Sequence, residues 1–175
     1  MSQLLMKLPS LPRTLPGTAQ VSRTAVSADA GELARLLGAA FPESPWSAER
    51  VHRELFGDPT VASVHVIADG ATLLATASAR YNPAYPGRGY VHWVGVDPTA
   101  RGRNLGAAVM AAVLACFASD GMTAAVLETD DERLPAIRSY LAQGFVPQYP
   151  VPDHEGRWSA VFAASAAWQQ SRKGT

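Results

Sequence analysis

The sequence has almost no cysteine: Cys116 stands alone in 175 residues. That excludes an internal disulfide and a cysteine-built metal cluster, and it fits a reducing compartment. Charge imbalance is also missing. Fifteen Lys and Arg offset fifteen Asp and Glu, so no overall field draws the chain to nucleic acid or to an anionic membrane surface. Any anion it binds must be gripped by a local cluster. No apolar run approaches the ~18 residues of a membrane span. The opening "MSQLLMKLPSLPRTLPGTAQ" has its apolar stretch broken by Lys7, Pro9 and Pro12, so it does not read as a signal peptide. The expectation is a cytoplasmic protein with no nucleic-acid or membrane partner. Two phosphate-binding signatures are absent as well: the Gly-Lys-Ser/Thr ending of nucleoside triphosphate loops and the three-glycine dinucleotide fingerprint. What is present is 47% hydrophobic and 17% charged content, in a chain long enough for one full core.

The early prolines predict an extended, flexible tail over residues 1–19, with a single folded domain over 20–175. "QVSRTAV" (20–26) alternates like a strand. Ser27 or Asp29 can cap a helix that places Leu33, Leu36, Leu37 and Ala40 on one face. Ser47 can cap a second helix ending at Gly57. A hairpin follows, strands 60–68 and 72–81 about an Asp69-Gly70 turn. "YVHWVGVDP" is a strand, the alanine-rich run from Leu105 a helix, 123–130 a strand, and "RLPAIRSYLAQ" a short helix stopped at Gly144. "FVPQY" is a last strand. The segment 153–171 reads as helix, with Trp158, Val161, Phe162 and Ala166 on one side. This order predicts an α/β fold: a mixed, mostly antiparallel central sheet of about six to seven strands flanked by helices.

One junction carries the chemistry. "RGRNLG", Arg101 to Gly106, links the strand ending at Asp97-Pro98 to the helix that follows. A helix start leaves its first N–H groups without partners, and the helix dipole adds positive potential there. Glycine permits close approach of a ligand to the main chain, and Arg101 and Arg103 add charge. The turn is a cradle for a pyrophosphate.

This turn resembles the acetyl-coenzyme A signature of the GNAT acetyltransferase superfamily, Gln/Arg-x-x-Gly-x-Gly/Ala, read here as Arg101, Gly102, Arg103, Asn104, Leu105 and Gly106. Asn104 replaces the first glycine; asparagine tolerates left-handed backbone. "AIRSYLAQGF" is similar to the family's motif after the fifth strand, matching at Ala136, Tyr140, Gly144 and Phe145. Arg133 stands where the motif has asparagine, and Ser139 where it has leucine. "HWVGVDP" looks like the family's fourth strand. The three pieces lie in order across residues 90–145.

The resemblance implies a GNAT fold and acetyl-coenzyme A as co-substrate, with no metal. It implies that Val94, Gly95 and Val96 pair with the pantetheine arm, that the turn through Ala107 holds the diphosphate, and that Tyr140 donates a proton to the departing thiolate. A free alkylamine has a pKa near ~10.4, so transfer to it needs a base. His92 and Glu128 are the two candidates; a hydrogen-bonded sheet histidine and an arginine-paired carboxylate are the plain alternatives. Arg133 reaches a coenzyme phosphate or pairs with Glu128 or Asp131. Asp130 and Asp131 are expected to cap the short helix, Cys116 to lie in the core, and Trp93 to face opposite to His92. The loops 41–46 and 82–89 are candidates to border the acceptor. The implied function is an N-acetyltransferase acting on a primary amine of a small molecule by direct transfer in a ternary complex. A protein N-terminus or lysine as acceptor, and non-catalytic binding of acyl-coenzyme A, are the alternatives. Dimers are frequent among relatives, and a homodimer is left open.

Overall fold

A computed structural model describes residues 3–11 and 22–173, with side chains to residue 166. Seven strands form one mixed sheet: β1 (Leu4–Leu8), β2 (Arg23–Thr24), β3 (Val61–Asp69), β4 (Thr72–Arg80), β5 (Arg88–Val96), β6 (Ala124–Thr129) and β7 (Val146–Gln148). Their order is β2-β3-β4-β5-β6-β1-β7, antiparallel throughout except for the parallel β5–β6 pair. Five helices flank it: α1 (Ala30–Ala40), α2 (Ala48–Val51), α3 (Leu105–Ser119), α4 (Leu134–Ala142) and α5 (His154–Lys173).

Each helix forms where its apolar spacing and ends allow. Leu33, Leu36, Leu37 and Ala40 of α1 are buried as their spacing predicts. Ser47 Oγ accepts the Arg50 N–H at 3.1 Å and starts α2, which widens into a π turn over His52–Phe56. Leu105, Val109, Val113 and Phe117 bury one face of α3. Alternation along β4 feeds both sides of the sheet. Leu74, Ala77 and Ala79 join the core beneath α3, whereas Leu73 joins Val64, Val66 and the α1 leucines. Gly89 of β5 has no room for a side chain, because a Cβ there would lie 2.2 Å from the Phe117 ring.

Three features differ from the sequence-based expectation. The tail expected over 1–19 contains β1, set between β6 and β7 with Leu4, Met6 and Leu8 at most 6% exposed. Apolar alternation, Leu4-x-Met6-x-Leu8, outweighs the prolines that follow, because β6 and β7 satisfy both edges of the strand. Of the strand expected over 20–26, the described residues 22–26 contain the short strand Arg23–Thr24, paired with β3; residues 12–21 lie outside the described residues. The closing segment is helix, as expected. Trp158 and Val161 are buried, but Phe162 is 42% exposed and Ala166 is exposed too, so the apolar side of α5 is narrower than predicted.

Candidate active site

Strand β5 opens the site. Thr76 pairs with Gly95 but Ser78 pairs with His92, so β5 carries one residue more than β4 across this step. The bulge is at Trp93, whose φ of 48° is left-handed, an uncommon state for a bulky side chain. An aromatic wedge holds it there. The Trp93 ring meets Phe41 and Trp46 edge-on, with centroids at 5.0 and 4.8 Å, and the Arg50 guanidinium lies 4.1 Å over Trp46. Beyond the last β5–β6 partners, Val91 and Leu127, no further pairing joins these strands. Past this point two cavities lie along β5.

The larger, about 550 Å³, is walled by Val94–Val96, by the turn at Arg101, Gly102 and Asn104 to Ala107, by Arg133 just ahead of α4, and by Ala136 and Tyr140 of α4. The smaller, about 290 Å³, is walled by Phe41, Glu43, Tyr90, His92, Trp93, Glu128, Asp130 and Gln3. Val94, Arg133 and Tyr140 line both, so the two cavities meet there.

The turn is pinned at its start by Asp97. Asp97 accepts from the Thr99 N–H at 2.9 Å, the Thr99 hydroxyl at 2.6 Å and Arg35 Nη1 at 2.7 Å. These donors, Thr99 foremost, pull its carboxyl down to about 2 and pin the strand end. Gly102 (φ 80°) and Asn104 (φ 59°) are both left-handed, the conformation for which asparagine is a fair substitute for glycine. No side chain caps α3, so its first N–H groups face the cleft without one. A Cβ at Gly102 would meet nothing within 4 Å, and one at Gly106 only Val96, at 3.6 Å. Main chain is thus accessible along the cleft wall. Arg101 lines this cavity; Arg103 is exposed and does not.

Tyr140 is 7% exposed, packs on Phe145 at 6.1 Å, and has its pKa pushed up to about 12 by burial. Its phenol therefore carries its proton across the physiological range. Arg133 does not pair with Glu128 or Asp131. Its Nη2 donates to the Ala40 carbonyl at 3.1 Å and its guanidinium lies 4.0 Å over Phe41, joining α1 to α4. Asp131 binds Arg157 (2.6 Å) and Asp130 accepts from Gln3 Nε2 (3.0 Å). Neither caps α4, whose first residues are preceded by Arg133 without a side-chain cap.

His92 is held neutral: burial first, then Arg80, pushes its pKa down to about 4, and its buried Nδ1 has no partner among the described residues. The bulge breaks strand alternation, so His92 and Trp93, expected on opposite faces, both line the smaller cavity with rings 4.9 Å apart. Among the described residues, Glu128 has no arginine partner. Its two oxygens accept from Tyr85 (2.6 Å) and Tyr90 (3.0 Å). These tyrosines, and Gln3, escaped sequence reasoning as individual residues, although the 82–89 loop drew attention as an acceptor border. Cys116 is only partly buried. It accepts from Ser63 and donates to Asp120, lines neither cavity, and has its thiol pKa raised by burial. Among the described residues, no group of three or more His, Cys, Asp or Glu is placed to hold a metal ion, and no helix is long and apolar enough to cross a membrane.

Known proteins share this fold. The model of the Acetyltransferase (GNAT) family matches residues 31–145. A mycothiol acetyltransferase from a Nocardioides species is 30% identical over 161 residues, covering 82% of this chain and 54% of the relative. One from Nocardia farcinica is 29% identical, covering 81% and 50%. The chain therefore spans about half the length of these curated relatives. A solved protein from Novosphingobium aromaticivorans, described as a GNAT-family acetyltransferase, shares the fold at a TM-score of 0.64 and 23% identity, covering 85% of this chain and 61% of that one. A GCN5-related N-acetyltransferase from Sphaerobacter thermophilus also superposes at 0.64, with 21% identity and coverages of 85% and 50%.

Proposed function

Because the chain belongs to the acetyltransferase (GNAT) family, we propose that it moves an acetyl group from acetyl-coenzyme A to a primary amine of a small molecule, by direct transfer in a ternary complex. The observation that carries this reading is the junction of the two cavities at Val94, Arg133 and Tyr140. Donor and acceptor can meet there without a covalent stop on the protein, and Cys116 lies outside both cavities.

The larger cavity suits the donor. Its turn offers uncapped N–H groups, two left-handed residues and glycines open to the cleft. Acetyl-coenzyme A supplies an activated acetyl thioester. Arg101 and the turn from Gly102 to Ala107 hold the diphosphate, and Arg103 adds positive potential from outside the cleft. The main chain of Val94–Val96, left without a β6 partner, hydrogen-bonds the pantetheine arm and gives an N–H to the developing oxyanion. Tyr140, protonated and at the junction, is the proton donor to the leaving sulfur.

The smaller cavity suits the acceptor. Its volume of about 290 Å³ sits at the lower end of small-molecule sites, ~300–1,000 Å³. Glu43, Glu128 and Asp130 line it, and none has a described cation within salt-bridge distance, so a protonated amine can supply one. Glu128 is the base that meets the ammonium and takes its proton. His92 remains a neutral lining residue, since burial disfavours its charged form.

The test is release of free thiol from acetyl-coenzyme A with a panel of amino acids, polyamines and peptides, with mass spectrometry of the acceptor. The expected result is amine-dependent thiol release and an N-acetylated small molecule. Binding without turnover for every amine would favour a non-catalytic acyl-coenzyme A sensor. Turnover confined to peptides would move the acceptor to a protein N-terminus or lysine.

A further inference from the structure

Glu128 is the one exposed residue of β6, between the buried Leu127 and Thr129, and an exposed glutamate ordinarily samples several rotamers. Here each of its oxygens is taken by a different phenol: Oε1 by Tyr85 at 2.6 Å and Oε2 by Tyr90 at 3.0 Å. Two donors on two oxygens fix the plane of the carboxylate as well as its position. The phenols behave as a unit, with rings near parallel at 22° and centroids 5.8 Å apart. Burial and Glu128 itself push the Tyr85 pKa up to about 12 and that of Tyr90 higher still, so both remain donors at any physiological pH.

The two tyrosines differ in origin. Tyr90 is 6% exposed on β5, a rigid strand. Tyr85 rides on the loop 82–87. That loop is folded by its own bonds, Tyr85 N–H to the Asn82 carbonyl at 2.8 Å and Arg88 N–H to the Tyr85 carbonyl at 3.2 Å. The Tyr85 hydroxyl on Glu128, beside the stack of its ring on Tyr90, ties this loop to the cavity wall. Each carboxylate oxygen has two lone pairs, so one phenol apiece leaves acceptor capacity for an incoming N–H.

We propose that Tyr85 and Tyr90 are positioning residues of the acceptor site, which act through Glu128 by clamping its carboxylate at the smaller cavity and thereby make the loop 82–87 part of that site. The inference rests on the reading of Glu128 as the base. Its catalytic benefit is orientation: a carboxylate already in place loses no rotamer freedom when the amine arrives.

The test combines a kinetic cycle with an exchange measurement on the full chain. Tyr85→Phe and Tyr90→Phe should each lower acceptor kcat/KM by about tenfold and leave the KM for acetyl-coenzyme A within about twofold. In a Glu128→Gln background each should cost less than about twofold more, because the group they act through is gone. Tyr81→Phe removes a comparable phenol–carboxylate bond, to Asp120 away from both cavities, and should leave these constants unchanged. Losses that multiply in full in the Glu128→Gln background, or a Tyr85→Phe/Tyr90→Phe pair with wild-type kinetics, would overturn the clamp. Independently of activity, Glu128→Gln should speed amide exchange across 82–88 by several-fold; unchanged exchange overturns the loop tie. If the wild-type chain acetylates no amine, the reading of Glu128 as base falls along with the catalytic part of the clamp, while the exchange result still decides the tie.

Discussion

Replacing Tyr140 with phenylalanine removes one hydroxyl from a side chain that is 7% exposed and whose ring stays packed on Phe145. No described residue bonds that hydroxyl, so the fold loses little. The stability change should stay under about 1 kcal/mol, which for a chain of this size is less than about 4 °C in Tm. Chemistry should suffer far more. A positioned general acid contributes ~10²–10⁴-fold, so kcat should fall by at least about 100-fold, equivalent to about 2.7 kcal/mol of barrier. Coenzyme A affinity should hold within about threefold, since the turn and the β5 main chain are untouched. Three measurements on one preparation separate these terms: thiol release for kcat, calorimetry for coenzyme A, and thermal melting for the fold. A kcat within threefold of wild type, or an affinity loss as large as the rate loss, would refute the acid role.

Other outcomes follow from packing and charge. Gly89→Ala forces a Cβ to within 2.2 Å of the Phe117 ring, which is fully buried and cannot retreat. Overpacking of ~1–3 kcal/mol should lower Tm by about 2–12 °C, measured by calorimetric or optical melting. Met6→Ala should cost about 2–5 kcal/mol in urea unfolding, because Met6 is fully buried in β1; a mobile tail would cost almost nothing. Asp97, with a folded pKa of about 2, contributes stability that is complete above ~4 and is lost as pH falls from ~4 through 2. Its partner Arg35 is 40% exposed, so screening limits that contribution to about 1–2 kcal/mol. Wild type should therefore lose that much more than Asp97→Asn between pH 4 and pH 2 in acid unfolding.

Local signals made much of this molecule legible in the sequence. The turn from Asp97 to Gly106 could be read because its parts are short-range: a proline at a helix start, left-handed positions at Gly102 and Asn104, and apolar spacing in α3. Ser47, Gly57 and Gly144 marked helix ends for the same reason. Strand β1 was hidden because nothing near Leu4–Leu8 announces partners more than a hundred residues away, and the adjacent prolines suggest a tail. The facing of Trp93 was misread because strict alternation holds only in an unbulged strand. Its wedge of Phe41, Trp46 and Arg50 is assembled by tertiary contact. For Glu128 the plain alternative to a base was an arginine pair, the partner that charge alone suggests. Two phenols from 43 and 38 residues away satisfy it instead.

The proposed function requires that the turn between β5 and α3 hold a diphosphate. Titration calorimetry of the purified chain with coenzyme A tests that hold directly. The predicted result is saturable, one-site binding. No heat of binding at millimolar coenzyme A would contradict the account.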